Sequence, residues 1–326
     1  MLRVAVVQGG PSSEAAVSRA SAKGVASALK AVGHEAIRLE LNDHLAESLR
    51  TGGYDVVFPV VHGQVGEDGS LQGLLEVLGL AYVGANVLAS AIAMDKPTAK
   101  KLLAAAGIPV PRGIALARAS DARAAAEQAK SQVGPALVVK PAANGSAIGV
   151  ARLEDLASIG ELAAAIEAVW KIDDVALVET FLRGREVTCG VLDLAGAPKA
   201  LPPTEIASPN DAFYTYSARY APGRSLHTCP AELGEAITTR VQELAVAAHR
   251  ALGVRDLSRV DFVVGRTVDD VTVLELNTMP GFTATSLYPE AAAVSGLAFP
   301  ALCDAFVKQA AERGSTRRNE PMPFPG

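Results

Sequence analysis

The sequence predicts an α/β protein: an N-terminal domain built on a parallel sheet covered on both faces, followed by two α+β units. Three observations carry this. Short apolar runs alternate with helix-period stretches over residues 1–84, as a parallel sheet requires when its crossovers are helices. The middle of the chain instead has strand-like runs joined by turn residues, Asn144-Gly145 above all, which is the chemistry of antiparallel hairpins. Two further runs, Arg259 to Val264 and Val271 to Asn277, flank a short turn near Val268.

Val4 to Val7 is an apolar run ending at Gly9-Gly10, and from Glu14 onward Val17, Val25, Leu29 and Val32 recur at helical spacing before Gly33. Glu35 to Leu41 alternates and Asp55 to Val61 reads as a buried strand. Leu71, Leu74, Leu75 and Leu78 mark a helix closed by Gly79. Val77 to Met94 runs eighteen residues without a charge, but Gly79, Gly84, Asn86 and Ser90 interrupt it. Leu80 to Gly84 therefore reads as a short strand between two helices, and no membrane span is expected. One helix is expected from about Asn86 to Gly107, stopped by Pro109 and Pro111. Strands follow at Gly113 to Leu116, Leu137 to Lys140 and Val175 to Thr180. A third unit opens near Gly184 with a strand from Glu186 to Asp193 and a helix from Glu232 to Leu252. The expected division is 1–84, 85–183 and 184–313, with 314–326, rich in Ser, Arg, Pro and Gly, as a flexible tail.

At 326 residues, with 49% hydrophobic and 20% charged side chains, the chain is expected to form more than one globular domain. Its 30 Lys and Arg against 35 Asp and Glu give a net charge of -5, which supplies no basic field for nucleic acid. Cys189, Cys229 and Cys303 are far apart and form no C-x-x-C pair. Neither a disulfide framework nor a zinc site is expected, and a reducing compartment fits. The first residues lack a long apolar signal segment, so a cytoplasmic protein is expected.

Four segments concentrate chemistry. On the hairpin, alternation puts Arg259 with Asp261, and Glu275 with Asn277, on shared faces, and a turn near Val268 sets Asp261 opposite Glu275. Facing carboxylates repel unless a cation lies between them, and oxygen donors of these types suit Mg²⁺; the alternative is an ordinary solvent-facing strand. Lys140 ends an apolar strand just before the loop Asn144-Gly145-Ser146-Ala147-Ile148-Gly149, and Lys96 follows Met94-Asp95. Small loop residues let backbone N–H groups approach phosphate while lysine adds charge, although a surface hairpin has the same composition. Gln8 to Glu14 follows a strand and opens a helix, with Glu40 ending the next strand. G-x-G-x-x-G spacing is absent and Glu14 would oppose a pyrophosphate, so a dinucleotide is disfavoured. Glu14 suits a ligand ammonium, or serves only as a first-turn acid. His62 to Ser70 occupies the carboxyl end of a strand, where ligands bind in α/β sheets; His62 and Glu67 are candidate contacts, while Asp68 or Ser70 could cap the helix. Finally, Phe213 to Tyr220 is an aromatic segment bracketed by Pro209 and Pro222-Gly223, which reads as a water-excluding lid or as one packed helical face.

Together these segments resemble the D-alanine:D-alanine ligase family of the ATP-grasp superfamily, from about residue 3 to residue 310. The matching motifs are G-G-x-S-x-E-x-x-V-S at Gly9 to Ser18, H-G-x-x-G-E-D-G-x-L-Q-G at His62 to Gly73 and M-D-K at Met94 to Lys96. The rest are V-K-P followed by G-S at Val139 to Ser146, R-x-D at Arg259 to Asp261, and E-x-N-x-x-P-G at Glu275 to Gly281. The resemblance implies a three-domain ATP-grasp architecture with ATP between the central and C-terminal domains. It places Lys96, Lys140 and the Ser146 loop on phosphates, Glu179, Thr180 and Leu182 around adenine, and Glu186 on ribose. Phe213 and Arg219 would close over the nucleotide, and Asp261, Glu275 and Asn277 would hold two Mg²⁺, or Mn²⁺. Glu14 would take the ammonium of the first D-alanine, grouped with Ser146 and Tyr220 and near His62 and Glu67. Arg259 and the Gly281 N–H would stabilise an oxyanion, and Ser286 and Leu287 would meet the second substrate's carboxylate.

The implied activity is ATP-dependent joining of two D-alanines through a D-alanyl phosphate, for peptidoglycan precursor synthesis and cell-wall biogenesis, by a cytoplasmic homodimer. Two departures stand out. The family's lid F-Y-D-Y-E-A-K-Y is Phe213-Tyr214-Thr215-Tyr216-Ser217-Ala218-Arg219-Tyr220, and its E-G-S-S-x-G loop begins here with Asn144 and has Ala147 for the second serine. Tyr220, retained, goes in the family with D-alanine as acceptor. D-serine or D-lactate as acceptor, or an ATP-binding relative without turnover, are the alternatives; retention of both metal carboxylates beside Arg259 argues against the last.

Overall fold

The computed structural model describes residues 1–119, 121–145, 147–154, 158–207 and 225–315. Three sheets organise them, and each draws its strands from one stretch of chain.

The first sheet has the order β2-β1-β3-β4, all parallel, from β1 (Arg3–Gly9), β2 (Glu35–Leu41), β3 (Val56–Pro59) and β4 (Ala81–Tyr82). The central strands carry unbroken apolar runs, Val4 to Val7 and Val56 to Phe58, because both faces are covered. Val4, Val6 and Phe58 face one core, Ala5, Val7 and Val57 the other. Helix α1 (Ala15–Ala31) covers the first face, and α2 (Leu45–Thr51) and α3 (Ser70–Leu78) cover the second. Gly9 has a positive φ of 81°, and a Cβ there would fall on the Glu40 carboxylate. Glu40 is itself held by Arg19 and by Gln8 Nε2 at 3.0 Å. That acid closes the loop rather than waiting for a ribose, which removes the dinucleotide reading.

The helix expected over Asn86 to Gly107 is two helices, α4 (Val87–Met94) and α5 (Lys96–Ala105). Pro97 has no N–H to continue the ladder. Asp95 turns extended and caps α5 by accepting the Thr98 N–H at 2.9 Å. The second sheet, antiparallel and ordered β5-β8-β6-β7, comprises β5 (Gly113–Ala117), β6 (Leu137–Pro141), β7 (Ala151–Leu153) and β8 (Val175–Thr180). The glycine loop thus joins an antiparallel hairpin, β6 to β7, as its composition predicts. Helices α6 (Ala122–Val133) and α7 (Ile159–Trp170) close a separate core on this sheet. Helix α7 opens on a capping box, Ser158 with Glu161.

The third sheet follows the order β12-β11-β9-β13-β14, with β10 also on β9: β9 (Arg185–Leu194), β10 (Ala197–Ala200), β11 (Thr204–Ala207), β12 (Leu226–Thr228), β13 (Asp256–Val264) and β14 (Val271–Asn277). Helix α8 (Glu235–Ala251) lies on it, but so do α4 and α5, whose Ala89, Ala93, Ala99 and Leu103 share its core. The last helices, α9 (Leu287–Val294) and α10 (Phe299–Arg313), return to the first sheet, where Leu302, Phe306 and Val307 pack with Val4 and Phe58. Among the described residues no single helix is long and apolar enough to cross a membrane.

Phe282 ties these parts together. It is 0% exposed, with ring centroids of Phe58, Tyr288, Phe299 and Phe306 at 5.5, 6.0, 5.6 and 6.2 Å. Its ring therefore bridges the first sheet, the loop after β14 and the two C-terminal helices. Phe282→Ala is expected to destabilise the fold by about 3 to 5 kcal/mol, the usual penalty for a fully buried aromatic. Urea unfolding checks this, and a loss under about 1 kcal/mol would show that the site collapses without harm.

Candidate active site

A cleft between the second and third sheets begins with the first residue of α5. The Lys96 N–H bonds the Ala142 carbonyl at 3.0 Å, which docks the helix start onto the end of β6. Its Nζ donates to the Asn144 carbonyl at 2.5 Å and lies 3.7 Å from Glu275 Oε2. Lys140 Nζ is 2.6 Å from Glu179 Oε2. One helical turn after Lys96, Lys100 places its Nζ 2.7 Å from Glu179 Oε1, an ion pair off the line of a well-directed hydrogen bond. Glu179 is 2% exposed. Burial opposes its charge, yet Lys140 and Lys100 hold the carboxyl below its ordinary range. Burial and the neighbouring Lys140 push Lys100 down to about 8. Lys140 meets the same burial but stays above its ordinary value because Glu179 and Glu275 face it.

Thr180, Leu182 and Glu186 line the same cleft with Lys96, Lys140 and Glu275. Glu186 Oε1 is 2.6 Å from Arg152 Nη2, and the Arg152 guanidinium stands 5.6 Å from the Phe181 ring centre. Lys100 and Arg152 were not picked out from sequence, whereas Phe181 lies within the Glu179 to Leu182 linker that the resemblance puts around adenine. Lys100 had a signal in its four-residue spacing from Lys96, which puts both on one helix face. Arg152 had none, since it sits on the three-residue strand β7.

The hairpin of β13 and β14 pairs Asp261 with Glu275 and Arg259 with Asn277, as alternation predicts. Asp261 accepts from Thr188 Oγ1 at 2.6 Å, from Arg259 Nε and Nη2 at 2.8 Å each, and from Asn277 Nδ2 at 3.1 Å. Arg259 is 8% exposed and its partners are half-buried, so the face is not the solvent-facing strand of the alternative reading. Among the described residues no group of three or more His, Cys, Asp or Glu is placed to hold a metal. Two carboxylates and an amide fit Mg²⁺ nevertheless, because that ion keeps several waters and takes phosphate oxygens. Turning the Asn277 amide over would add its Oδ1 to the set.

On the other side, Glu14 precedes α1 and is 7% exposed. Its Oε2 lies 3.2 Å from the position a Cβ would take on either Gly63 or Gly145. The His62 loop and the glycine loop thus both close on this carboxylate, and glycine permits the approach. His62 Nδ1 is 3.2 Å from the Met279 carbonyl, so Nδ1 carries the proton. Its Nε2 is buried and has no hydrogen-bond partner among the described residues. Burial pushes this imidazole below its ordinary value although Glu14 pulls the other way. Glu67 accepts the Gly63 N–H at 2.6 Å, and burial and Glu14 push its carboxyl up to about 8. Asp68 has a different task, accepting the Val65 and Ser70 N–H groups at 2.8 and 2.9 Å to shape the entry to α3.

A further cavity is lined by Arg259, Gly281, Thr283, Ser286 and Leu287, with His227 on its edge. Ser286 Oγ accepts the Thr283 N–H at 3.1 Å at the start of α9, and Leu287 is buried. Ser146, Phe213, Arg219 and Tyr220 lie outside the described residues, as does 316–326.

Comparison with known proteins adds to this geometry. Residues 39–85 match the family model described as D-ala D-ala ligase N-terminus, and residues 102–308 match D-ala D-ala ligase C-terminus. The chain is 42% identical over 317 residues to the D-alanine-D-alanine ligase of Gluconobacter oxydans, covering 96% of this chain and 100% of that one. It is 42% identical over 316 residues to the same enzyme of Moorella thermoacetica, covering 95% and 100%. Among solved structures, the Bacillus anthracis D-alanine-D-alanine ligase complexed with ATP superposes with a TM-score of 0.79 at 30% identity, covering 96% of this chain and 98% of that one.

The Glu67 environment sets a pH dependence. Its folded-state carboxyl titrates near 8 instead of 4.5, so between those values the folded protein binds more protons than the unfolded chain. The Glu67 contribution to stability is full below about 4.5 and is lost as pH rises through about 8. Glu67→Gln stays neutral throughout, so its stability relative to wild type should improve steadily over this window in urea unfolding. A constant difference across the window would contradict the assignment.

Proposed function

The chain belongs to the D-alanine-D-alanine ligase family, and we propose that it joins two D-alanine molecules in an ATP-dependent reaction releasing D-alanyl-D-alanine, ADP and phosphate. The observation that carries this reading is an unbroken run of contacts from the lysine cleft to the second cavity. Lys96 meets Glu275, Glu275 faces Asp261, and Asp261 is forked by Arg259, which lines the cavity with Gly281 and Ser286. A site that makes an acyl phosphate in one compartment and consumes it in the next needs such a junction.

In this reading ATP lies along the cleft, as the ATP-complexed relative supports. Lys96, Lys140 and the Ser146 loop meet its phosphates, Glu179, Thr180 and Leu182 surround adenine, Glu186 meets ribose, and Phe213 and Arg219 cover the nucleotide. Asp261, Glu275 and Asn277 are the residues to hold two Mg²⁺, with Mn²⁺ an acceptable substitute; the ions supply charge neutralisation during phosphoryl transfer. Glu14 receives the ammonium of the first D-alanine, together with Ser146 and Tyr220, and so aims its carboxylate at the γ-phosphoryl group. Burial favours a neutral His62 and a protonated Glu67, so neither competes with Glu14 for that ammonium. Positioning and cations provide most of the rate enhancement in such a transfer.

The amine of the second D-alanine then attacks the acyl phosphate carbonyl. Arg259 and the Gly281 N–H take the developing oxyanion, phosphate departs, and the start of α9 at Ser286 and Leu287 receives the second carboxylate. The acyl phosphate must be kept from water, the task of the aromatic segment around Tyr220. A homodimer in the cytoplasm, supplying peptidoglycan precursor, completes the proposal.

Purified protein given ATP, Mg²⁺ and D-alanine should release ADP in step with a product of D-alanyl-D-alanine mass. ADP without dipeptide would point to another acceptor, and no ADP would refute the activity. Asp261→Asn and Glu275→Gln should each lower turnover on the order of a hundredfold with unchanged circular dichroism; wild-type rates in both would refute the metal assignment.

A further inference from the structure

We infer that Lys100 is a positioning residue for ATP: it holds the second oxygen of the Glu179 carboxylate so that Lys140 is free to serve the nucleotide. This deepens the ATP-dependent reading above and rests on it.

The geometry is that of one buried carboxylate shared between two ammonium groups from different elements, Lys140 on β6 and Lys100 on α5. Glu179, on β8, gives Oε1 to Lys100 at 2.7 Å and Oε2 to Lys140 at 2.6 Å. All three residues are nine-tenths or more buried, at 8%, 9% and 2% exposure for Lys100, Lys140 and Glu179. Lys140 and Glu179 line the nucleotide cleft and Lys100 does not. It stands behind them, on α5, four residues from Lys96.

Charge explains why a lysine is needed there. Were Glu179 paired with Lys140 alone, the pair would be neutral, and moving the Lys140 ammonium onto a phosphate would strand a buried carboxylate. With Lys100 in place, Glu179 stays compensated whichever way Lys140 turns. Burial lowers Lys100 toward about 8, which agrees with a group held in place at the expense of its own solvation. Its role is indirect, since its ammonium reaches Glu179 and not the lining of the cleft.

The test uses the full-length chain with Lys100→Met, Lys100→Arg and, as a control, Lys101→Met at an exposed neighbour. ATP affinity in the presence of Mg²⁺ is measured by calorimetry, and KM for ATP, KM for D-alanine and kcat by ADP release. Lys100→Met should weaken ATP binding and raise its KM about tenfold or more while the D-alanine KM stays within about twofold. Lys100→Arg should recover most of the loss and Lys101→Met should match wild type. A Lys100→Met chain that binds ATP as wild type does, or loses ATP and D-alanine affinity in equal measure, overturns the inference. Wild-type protein that does not bind ATP overturns the ATP reading itself, and this inference with it. If Lys100→Met does not fold, the comparison moves to Glu179→Gln with and without Lys100→Gln. With the carboxylate gone, the second substitution should leave ATP affinity unchanged, and a further loss overturns the inference.

Discussion

The burial of Phe282 is the constraint on which the site's geometry depends. The loop after β14 would otherwise be a polar connection, free to take many paths. Its aromatic ring, packed among Phe58, Tyr288, Phe299 and Phe306, fixes that path to within side-chain packing distances. The backbone on either side is then set. Before it, the Met279 carbonyl meets His62 Nδ1; beside it, Gly281 faces the second cavity; after it, Ser286 opens α9. An apolar contact thus positions three polar elements contributed by distant parts of the chain. Close-packed cores resist displacement, which is why such an anchor specifies geometry as well as stability.

Electrostatics works within that frame. Burying Lys96, Lys100 and Lys140 in one region would be prohibitive if they were unopposed. Glu179 and Glu275 compensate them, Glu179 meeting both Lys100 and Lys140 and Glu275 meeting Lys96. Asp261 is handled in the same way, with the planar fork of Arg259 and two neutral donors satisfying its carboxylate. Glu179, Glu186 and Glu275 each have a basic partner on a different element, and bound phosphate would redistribute those pairings rather than create them. Around Glu14 the solution differs: Glu67 is held protonated and His62 neutral by burial, so like charges are not assembled there at all.

Much of this was legible in the sequence, and the pattern of success has a physical basis. The first sheet was readable because burial on both faces makes β1 and β3 continuous apolar runs. The hairpin of β13 and β14 was readable down to its register because strand side chains alternate, so four residues with a turn between them define which pairs face each other. The break between α4 and α5 had its cause in plain view at Pro97, yet the apolar content on either side favoured one long helix. Lys100 was missed because a lysine on a helix normally faces water; only the packing of α5 against β14 and α8 shows that this face is inside. Periodicity likewise reveals that α10 has an apolar stripe without revealing that the stripe meets Val4 and Phe58, roughly 300 and 250 residues earlier in the chain.

The two ends of the hairpin explain how Glu14 and Arg259, which are remote in sequence, both come within electrostatic reach of His62 and Glu67. At the start of β13, Asp256 is fully buried and accepts from the Gly84 N–H at 2.7 Å, from Gln309 at 2.6 Å and from both terminal nitrogens of Arg313 at 2.6 and 2.9 Å. Arg313 also donates to the Tyr82 carbonyl at 2.8 Å. That network fastens the strand to the edge of the first sheet three residues before Arg259. Beyond the end of β14, Phe282 fastens the partner strand to the same sheet. With both strands rooted in the body whose first loop holds Glu14, the distance between acid and guanidinium is set by the core and not by a ligand. The second sheet is built differently, with its own core and polar links such as the Lys96 N–H to Ala142. The cleft opens along this boundary between separately packed cores, so a ligand entering it would leave the hairpin and Glu14 in register.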